Sequence, residues 1–230
     1  MLTIRRFEEI LAEEYQAQEI RCPIHLSIGQ EAVAAVISEY LSKDDYVVST
    51  HRSHAHYLAK GGCLKRMVCE MYGKQNGCSK GRGGSMHLID KSVGFMGSTA
   101  IVANTIPVGV GLAYAKKLES VGKIVCIYVG DGAIEEGVFY EAANFAAIHQ
   151  LPCIFLCENN LYSVYSGLEN RQPKNRKIYQ MVEGIGVKSS ICDGNDFKQI
   201  KEHIIPVIQK TRDGTGPYFI EFNTYRWREH

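Results

Sequence analysis

Apolar and polar positions along this chain follow two periods in turn. From Ile124 to Val129 every residue is apolar and several are β-branched, a run too short for a helix, which predicts a buried strand. Gly130-Asp131-Gly132 closes it. Val138, Ala142, Phe145 and Ala146 then recur at i, i+4, i+7 and i+8, which predicts an amphipathic helix ending near Gln150. Pro152 breaks that pattern, and a second apolar run, Cys153 to Cys157, leads to Glu158-Asn159-Asn160. Strand, helix, strand predicts two parallel strands joined right-handed. Both polar clusters then leave the carboxyl ends of neighbouring strands, where ligands bind in open α/β sheets.

The same reading extends outward. Ile4, Phe7, Leu11 and Tyr15 share one helical face, predicting a helix over 3–19, and a second helix is expected from Gln30 to Leu41. Asp45 to Val48 reads as a short strand and Cys63 to Tyr72 as a short helix. Phe95 to Thr99 leads into a helix through Lys117 whose Gly109 and Gly111 suit close packing. The polar stretch 166–177 reads as a surface loop. Strand signals near Gly186–Ile191 and Tyr218–Tyr225 flank a helix from Asn195 to Lys210, and Asp213 to Pro217 is a turn. No repeat or linker divides the chain. It reads as one α/β domain over 1–230, its first 45 residues a helical extension.

Composition narrows the class. A hydrophobic fraction of 45% with 22% charged residues is that of a soluble globular protein. A formal charge of +1 without a basic stripe argues against nucleic acid. No apolar stretch reaches membrane-spanning length, and the charged start MLTIRRFEE is not a secretory signal, so a cytoplasmic setting is expected. The eight cysteines form no CxxC pair, and Cys126, Cys153 and Cys157 lie inside predicted core strands. That favours reduced, buried thiols over disulfides.

The strand ends carry the chemistry. Asp131 offers a hard carboxylate and Asn160 an amide oxygen, a donor set that suits Mg²⁺, which fills its remaining positions with phosphate oxygens and water. Glycines let backbone approach a diphosphate, and the following helix is expected to point its N–H groups at the anion. His51, His54 and His56 raise the question of zinc. Yet H-x2-H-x-H lacks helical i, i+4 spacing and has no carboxylate or cysteine close by, so that reading is set aside. The glycine-rich loop GKQNGCSKGRGGSMHL is not a Walker A sequence; it is expected to need a partner or ligand to fix it.

The spacing GDG-x26-NN resembles the thiamine-diphosphate motif. With LSIGQEAVA (26–34), STHRSHAHYLAKG (49–61), KGRGGSMHL (80–88) and TYRWREH (224–230), the chain is similar over nearly its whole length to the alpha subunit of thiamine-diphosphate-dependent 2-oxo acid dehydrogenases. The resemblance implies the thiamine-diphosphate-binding fold, with thiamine diphosphate and Mg²⁺ as cofactors. Asp131, Asn160 and the backbone carbonyl of Tyr162 would hold the metal. His51, Arg52 and His230 would reach the diphosphate, beside Gly130, Gly132 and Ala133. The loop from Ala100 to Val102 would hold the aminopyrimidine, with Val102 as an apolar wedge. His54 and His230 would take catalytic roles, and His87 is a weaker candidate.

The resemblance also implies a beta subunit in an α2β2 heterotetramer and acyl transfer to a lipoyl-bearing acyltransferase. The substrate would be pyruvate, a branched-chain 2-oxo acid or acetoin; the sequence does not choose. Two features depart from the family. Arg228-Glu229 replaces the usual small residues before the final histidine, which is expected to alter the local charge, and the resemblance leads one to expect a C-terminal region after His230. The amino-terminal half of a split transketolase shares the pattern GDG-x3-EG of Gly130 to Gly137, but SIGQEA, HRSHAHY and YRWREH favour the dehydrogenase. A silent assembly subunit would have no need of Asp131, Asn160 and Arg52 together.

Overall fold

The computed structural model describes every residue except Ser120, Val121 and Glu229. Its centre is a six-stranded parallel sheet of β1 (Tyr46–Ser49), β2 (Phe95–Ser98), β3 (Val125–Gly130), β4 (Cys153–Asn159), β7 (Lys188–Asp193) and β8 (Tyr218–Asn223). The order is β2-β1-β3-β4-β8-β7, and a two-residue hairpin, β5 (Tyr162–Ser163) with β6 (Ser166–Gly167), stands apart. Gly130 pairs with Glu158, so the two predicted ligand clusters leave adjacent strands at the same edge.

The uninterrupted apolar runs of β3 and β4 follow from burial on both faces. Side chains alternate across a strand. Cys126 and Tyr128 therefore pack with α1 (Leu2–Glu14), α2 (Glu31–Ser38), α4 (Leu64–Met71) and α9 (Phe197–Arg212) on one face. Val125, Ile127 and Val129 pack with α5 (Thr105–Glu119), α6 (Gly137–Ile148) and α8 (Ile178–Ile185) on the other. Gly109 lies where α5 crosses the sheet: a Cβ there would stand 2.6 Å from Ile127 and 2.9 Å from Val48, so only glycine permits that approach. Gly111, expected to do the same, faces open space.

Several boundaries differ from expectation. The first helix ends at Glu14, followed by a 3-10 turn through Ala17, and left-handed Gln18 then redirects the chain. The helix after β2 begins only at Thr105, leaving 99–104 as a loop. The polar stretch 166–177 contains β6 and the one-turn α7 (Leu168–Arg171), and α8 follows unannounced. Two turns of helix give too few repeats for a period to register. The glycine-rich loop is held from within the chain. Glu70, fully buried, accepts the N–H groups of Ser79, Gly81 and Gly83 at 2.7, 2.9 and 2.6 Å. All eight cysteines are free, and burial raises the thiol pKa of Cys126, Cys153 and Cys157. No helix among the described residues is long and apolar enough to cross a membrane.

Candidate active site

A cavity of about 290 Å³ opens at the carboxyl edge of the sheet, where β1, β3 and β4 end. Asp131 lies on its floor, 1% exposed. The GDG turn does not run straight into α6. A 3-10 turn, Asp131–Glu135, intervenes, so the backbone that opens this turn, at Gly132, lies nearest the cavity, with Ala133 beside it closing the first i→i+3 bond. Gly132 is required by packing, because a Cβ would stand 2.7 Å from the Ser163 hydroxyl of the hairpin. Gly130 borders the cavity with nothing in the way of a ligand.

The two asparagines after β4 divide the work. Asn159 turns inward and donates to Glu221 at 2.7 Å. Asn160, one residue on, faces the cavity, donating to Gln30 at 3.0 Å and accepting from the Tyr162 N–H at 3.0 Å. Between them and the hairpin, Leu161 sits at φ 70°, a left-handed backbone uncommon for a branched residue. Strain of this kind gathers where the fold must hold a ligand set.

Arg52 lines the cavity and is 6% exposed. Its guanidinium donates to the Leu26 carbonyl and has no carboxylate partner among the described residues. Burial, then the nearby Arg226, pushes it down to about 10, so it stays charged at neutral pH. A buried cation of this kind is costly without an anion. Asp131 is the reverse case: burial raises its pKa, opposed by the guanidinium of Arg171, which bonds it directly and reaches Glu135 at 2.5 Å.

Three imidazoles meet above Arg52. His25 contacts His51 and His230 with ring centroids 4.6 Å apart in each case. Burial, followed by the neighbouring positive groups, holds His25 down to about 3 and His51 down to about 4, and lowers His230 too. Ala100 and Val102 line the same cavity, and Val102 is 47% exposed, so it is not core.

His54 is not in this cavity. It is fully buried, with Nδ1 3.1 Å from Glu8 and Nε2 2.7 Å from Ser85, and ties α1 and α3 (His54–Ala59) to the glycine-rich loop. His56 likewise points inward, between Ser49 at 2.7 Å and Glu158 at 3.2 Å. His87 is exposed and contributes no side chain to the cavity. The charge change expected from Arg228-Glu229 rests on Glu229, which lies outside the described residues.

His25, Gln30, Glu158 and Arg226 line the cavity without having been singled out. For Arg226 a signal existed. It lies in the TYRWREH motif, four residues before the singled-out His230, between exposed Tyr225 and Trp227. That segment is held by Gly29, whose φ of 96° and missing Cβ let Trp227 lie against it while Trp227 N–H donates to Ile28 at 3.2 Å. The motifs LSIGQEA and TYRWREH are thus two sides of one contact.

Comparison with known proteins gives the family. Over all 230 residues the chain is 38% identical to the pyruvate dehydrogenase E1 component subunit alpha of Rickettsia bellii, covering 70% of that protein. It is 35% identical to the corresponding subunit of Porphyra purpurea, covering 69%, and 36% identical to that of Rhizobium meliloti, covering 66%. Residues 1–230 match the dehydrogenase E1 component family from end to end, and the chain belongs to that family of thiamine-diphosphate-dependent oxidoreductases acting on 2-oxo acids.

Proposed function

We propose that this chain is the diphosphate-holding alpha subunit of a 2-oxo acid dehydrogenase decarboxylating component, requiring thiamine diphosphate and Mg²⁺. The observation that carries the reading is Arg52, a buried guanidinium without a carboxylate, in one cavity with the oxygen donors Asp131 and Asn160. A cation left unpaired beside a hard oxygen set calls for a metal-bound polyanion. Asp131, Asn160 and the Tyr162 carbonyl hold the ion. Arg52, His51 and His230 grip the diphosphate with the backbone at Gly132, beside Ala133 and over the open backbone of Gly130. Ala100 and Val102 give the aminopyrimidine an apolar wall.

When bound, the cofactor supplies the electron sink for decarboxylation. The chain's own part is to anchor, exclude water and hold protons. His25, His51 and His230 face the cavity and are neutral at physiological pH, so His51 and His230 meet the diphosphate as hydrogen-bond donors rather than as charges, and His25 is left to accept or donate a hydrogen bond beside them. His54 instead fixes the glycine-rich loop. The 230 residues act as one diphosphate-binding domain with helical residues 1–45, facing a beta subunit in an α2β2 assembly. The acyl product passes to a lipoyl-bearing acyltransferase.

Calorimetric titration of thiamine diphosphate with Mg²⁺ into the protein copurified with its native partners tests this. Saturable binding that vanishes on chelation, and in Asp131→Ala with the fold intact by circular dichroism, is the expected result. Undiminished affinity in Asp131→Ala would remove the ligand assignment.

A further inference from the structure

The cluster of His25, His51 and His230 holds more chemistry than an anion site uses. One ring nitrogen from each lies within 4.8 Å of the other two, and the three come from separate segments: the stretch before α2, the turn after β1 and the chain end. His25 is 9% exposed, and its Nδ1 is buried without a hydrogen-bond partner among the described residues. A buried polar atom that the chain leaves unsatisfied is one a ligand can satisfy.

We propose that His25, His51 and His230 form a three-imidazole site for a borderline divalent transition-metal ion of the Zn²⁺ class, separate from the oxygen site for Mg²⁺. Neutral imidazole is a preferred donor for such ions, whereas carboxylate, amide and carbonyl oxygens suit Mg²⁺. One cavity thus carries two donor sets of opposite hardness. A four-coordinate zinc ion with bonds of about 2.0–2.1 Å wants its nitrogens roughly 3.4 Å apart, so the rings must close by about 1 Å. Three ligands leave a fourth position open. Arg52 and Arg226 stand beside the cluster and repel a bare dication, so the fourth ligand is an anion, which offsets that repulsion. The spacing of His51, His54 and His56 argues against zinc on those three; the structure turns His54 and His56 into the interior and brings His25 and His230 to His51 instead.

The site does not rest on the cofactor assignment; because His51 and His230 are shared with it, the metal ion occupies the cofactor-free protein and competes with the diphosphate. Co²⁺ is the probe, because four-coordinate Co²⁺ absorbs strongly in the visible while six-coordinate Co²⁺ does not. The native protein, in excess Mg²⁺ and without thiamine diphosphate, is titrated with CoCl₂, and the titration is repeated on His25→Gln and His51→Gln in a Cys63→Ser background that removes the exposed thiol. The expected result is one strongly coloured equivalent per chain, displaced by Zn²⁺ and lost in both histidine variants. No intense band in the wild-type protein overturns the proposal even if a variant fails to fold. So does a band that survives both substitutions. Loss of Mg²⁺-dependent cofactor binding in Asp131→Ala reports on the other site and leaves this result unaffected.

Discussion

Two arginines, Arg212 half-buried and Arg52 buried, stand at opposite edges of the same sheet and lead opposite lives. Arg212, at the end of α9, lies at the amino edge and donates to both oxygens of fully buried Asp45, at 2.8 and 2.7 Å, and to the carbonyls of Gly122 and Tyr40. Asp45 also accepts from the Ser42 and Ile124 N–H groups, so every charge there is answered within the chain. Arg52, at the carboxyl edge, bonds directly to one backbone carbonyl, and the carboxylates of Glu158 and Glu8 act on it only from a distance. The fold is complete at one edge and awaits a charge at the other. A satisfied buried ion pair reports on architecture, and an unsatisfied buried cation reports on a ligand.

The largest effect should come from breaking the complete edge. Arg212→Met leaves a buried carboxylate without its counter-ion and should cost about 3–5 kcal/mol of stability. Cofactor affinity of the folded fraction should not change. Denaturant melts with parallel calorimetry check both halves, and a stable variant would mean that Ser42 and Ile124 suffice for Asp45. The mirror experiment is Arg52→Met. It should weaken thiamine diphosphate binding by about 2–4 kcal/mol, roughly 30- to 1,000-fold, without lowering the melting temperature of the cofactor-free protein. A large drop in that melting temperature would make Arg52 a structural group and erase the contrast.

A smaller signal lies in acid. Burial alone would raise the pKa of Asp45, but Arg212 and the two N–H donors overcome it and hold the carboxyl below its ordinary value of 3.8. Its contribution to stability is therefore complete above that value and is lost as pH falls through the lower folded pKa. Asp45→Asn should be less stable at neutral pH yet lose stability less steeply below pH about 4. Equal slopes in the two proteins would show that Asp45 titrates alike folded and unfolded.

The contrast between the edges also marks where sequence was readable. β3, α6 and β4 could be seen because burial on both faces writes apolar runs and a 3.6 period directly into Ile124 to Cys157. Asp131 and Asn160 followed, since strand ends of a βαβ unit fall at one edge. Gln30, His25 and Glu158 did not. Gln30 and His25 reach the cavity through tertiary contacts such as Gln30 to Asn160, which no local period encodes, whereas Glu158 sits at the same strand end as Asn160, passed over within a cluster already noted. His54 shows the converse: its place in a recognisable motif suggested the cavity, but Glu8, 46 residues away, claims its ring for the interior.

A third arginine stands between these extremes and sharpens the comparison most finely. Arg171 is paired, like Arg212, yet its partner Asp131 is the carboxylate assigned to the metal. Its guanidinium is 11% exposed, and it shares its charge with Glu135. A cation bonded to one carboxylate oxygen repels a dication seeking the other. Arg171→Gln should therefore tighten Mg²⁺ by about 1 kcal/mol, roughly fivefold, because Gln keeps a donor for Asp131 but drops the charge. Mn²⁺ titration followed by electron paramagnetic resonance, without cofactor, reads this directly. Weaker binding in the variant would assign Arg171 to orienting the carboxylate, and would place it with Arg212 among the groups that finish the fold rather than with Arg52 among those that wait for a ligand.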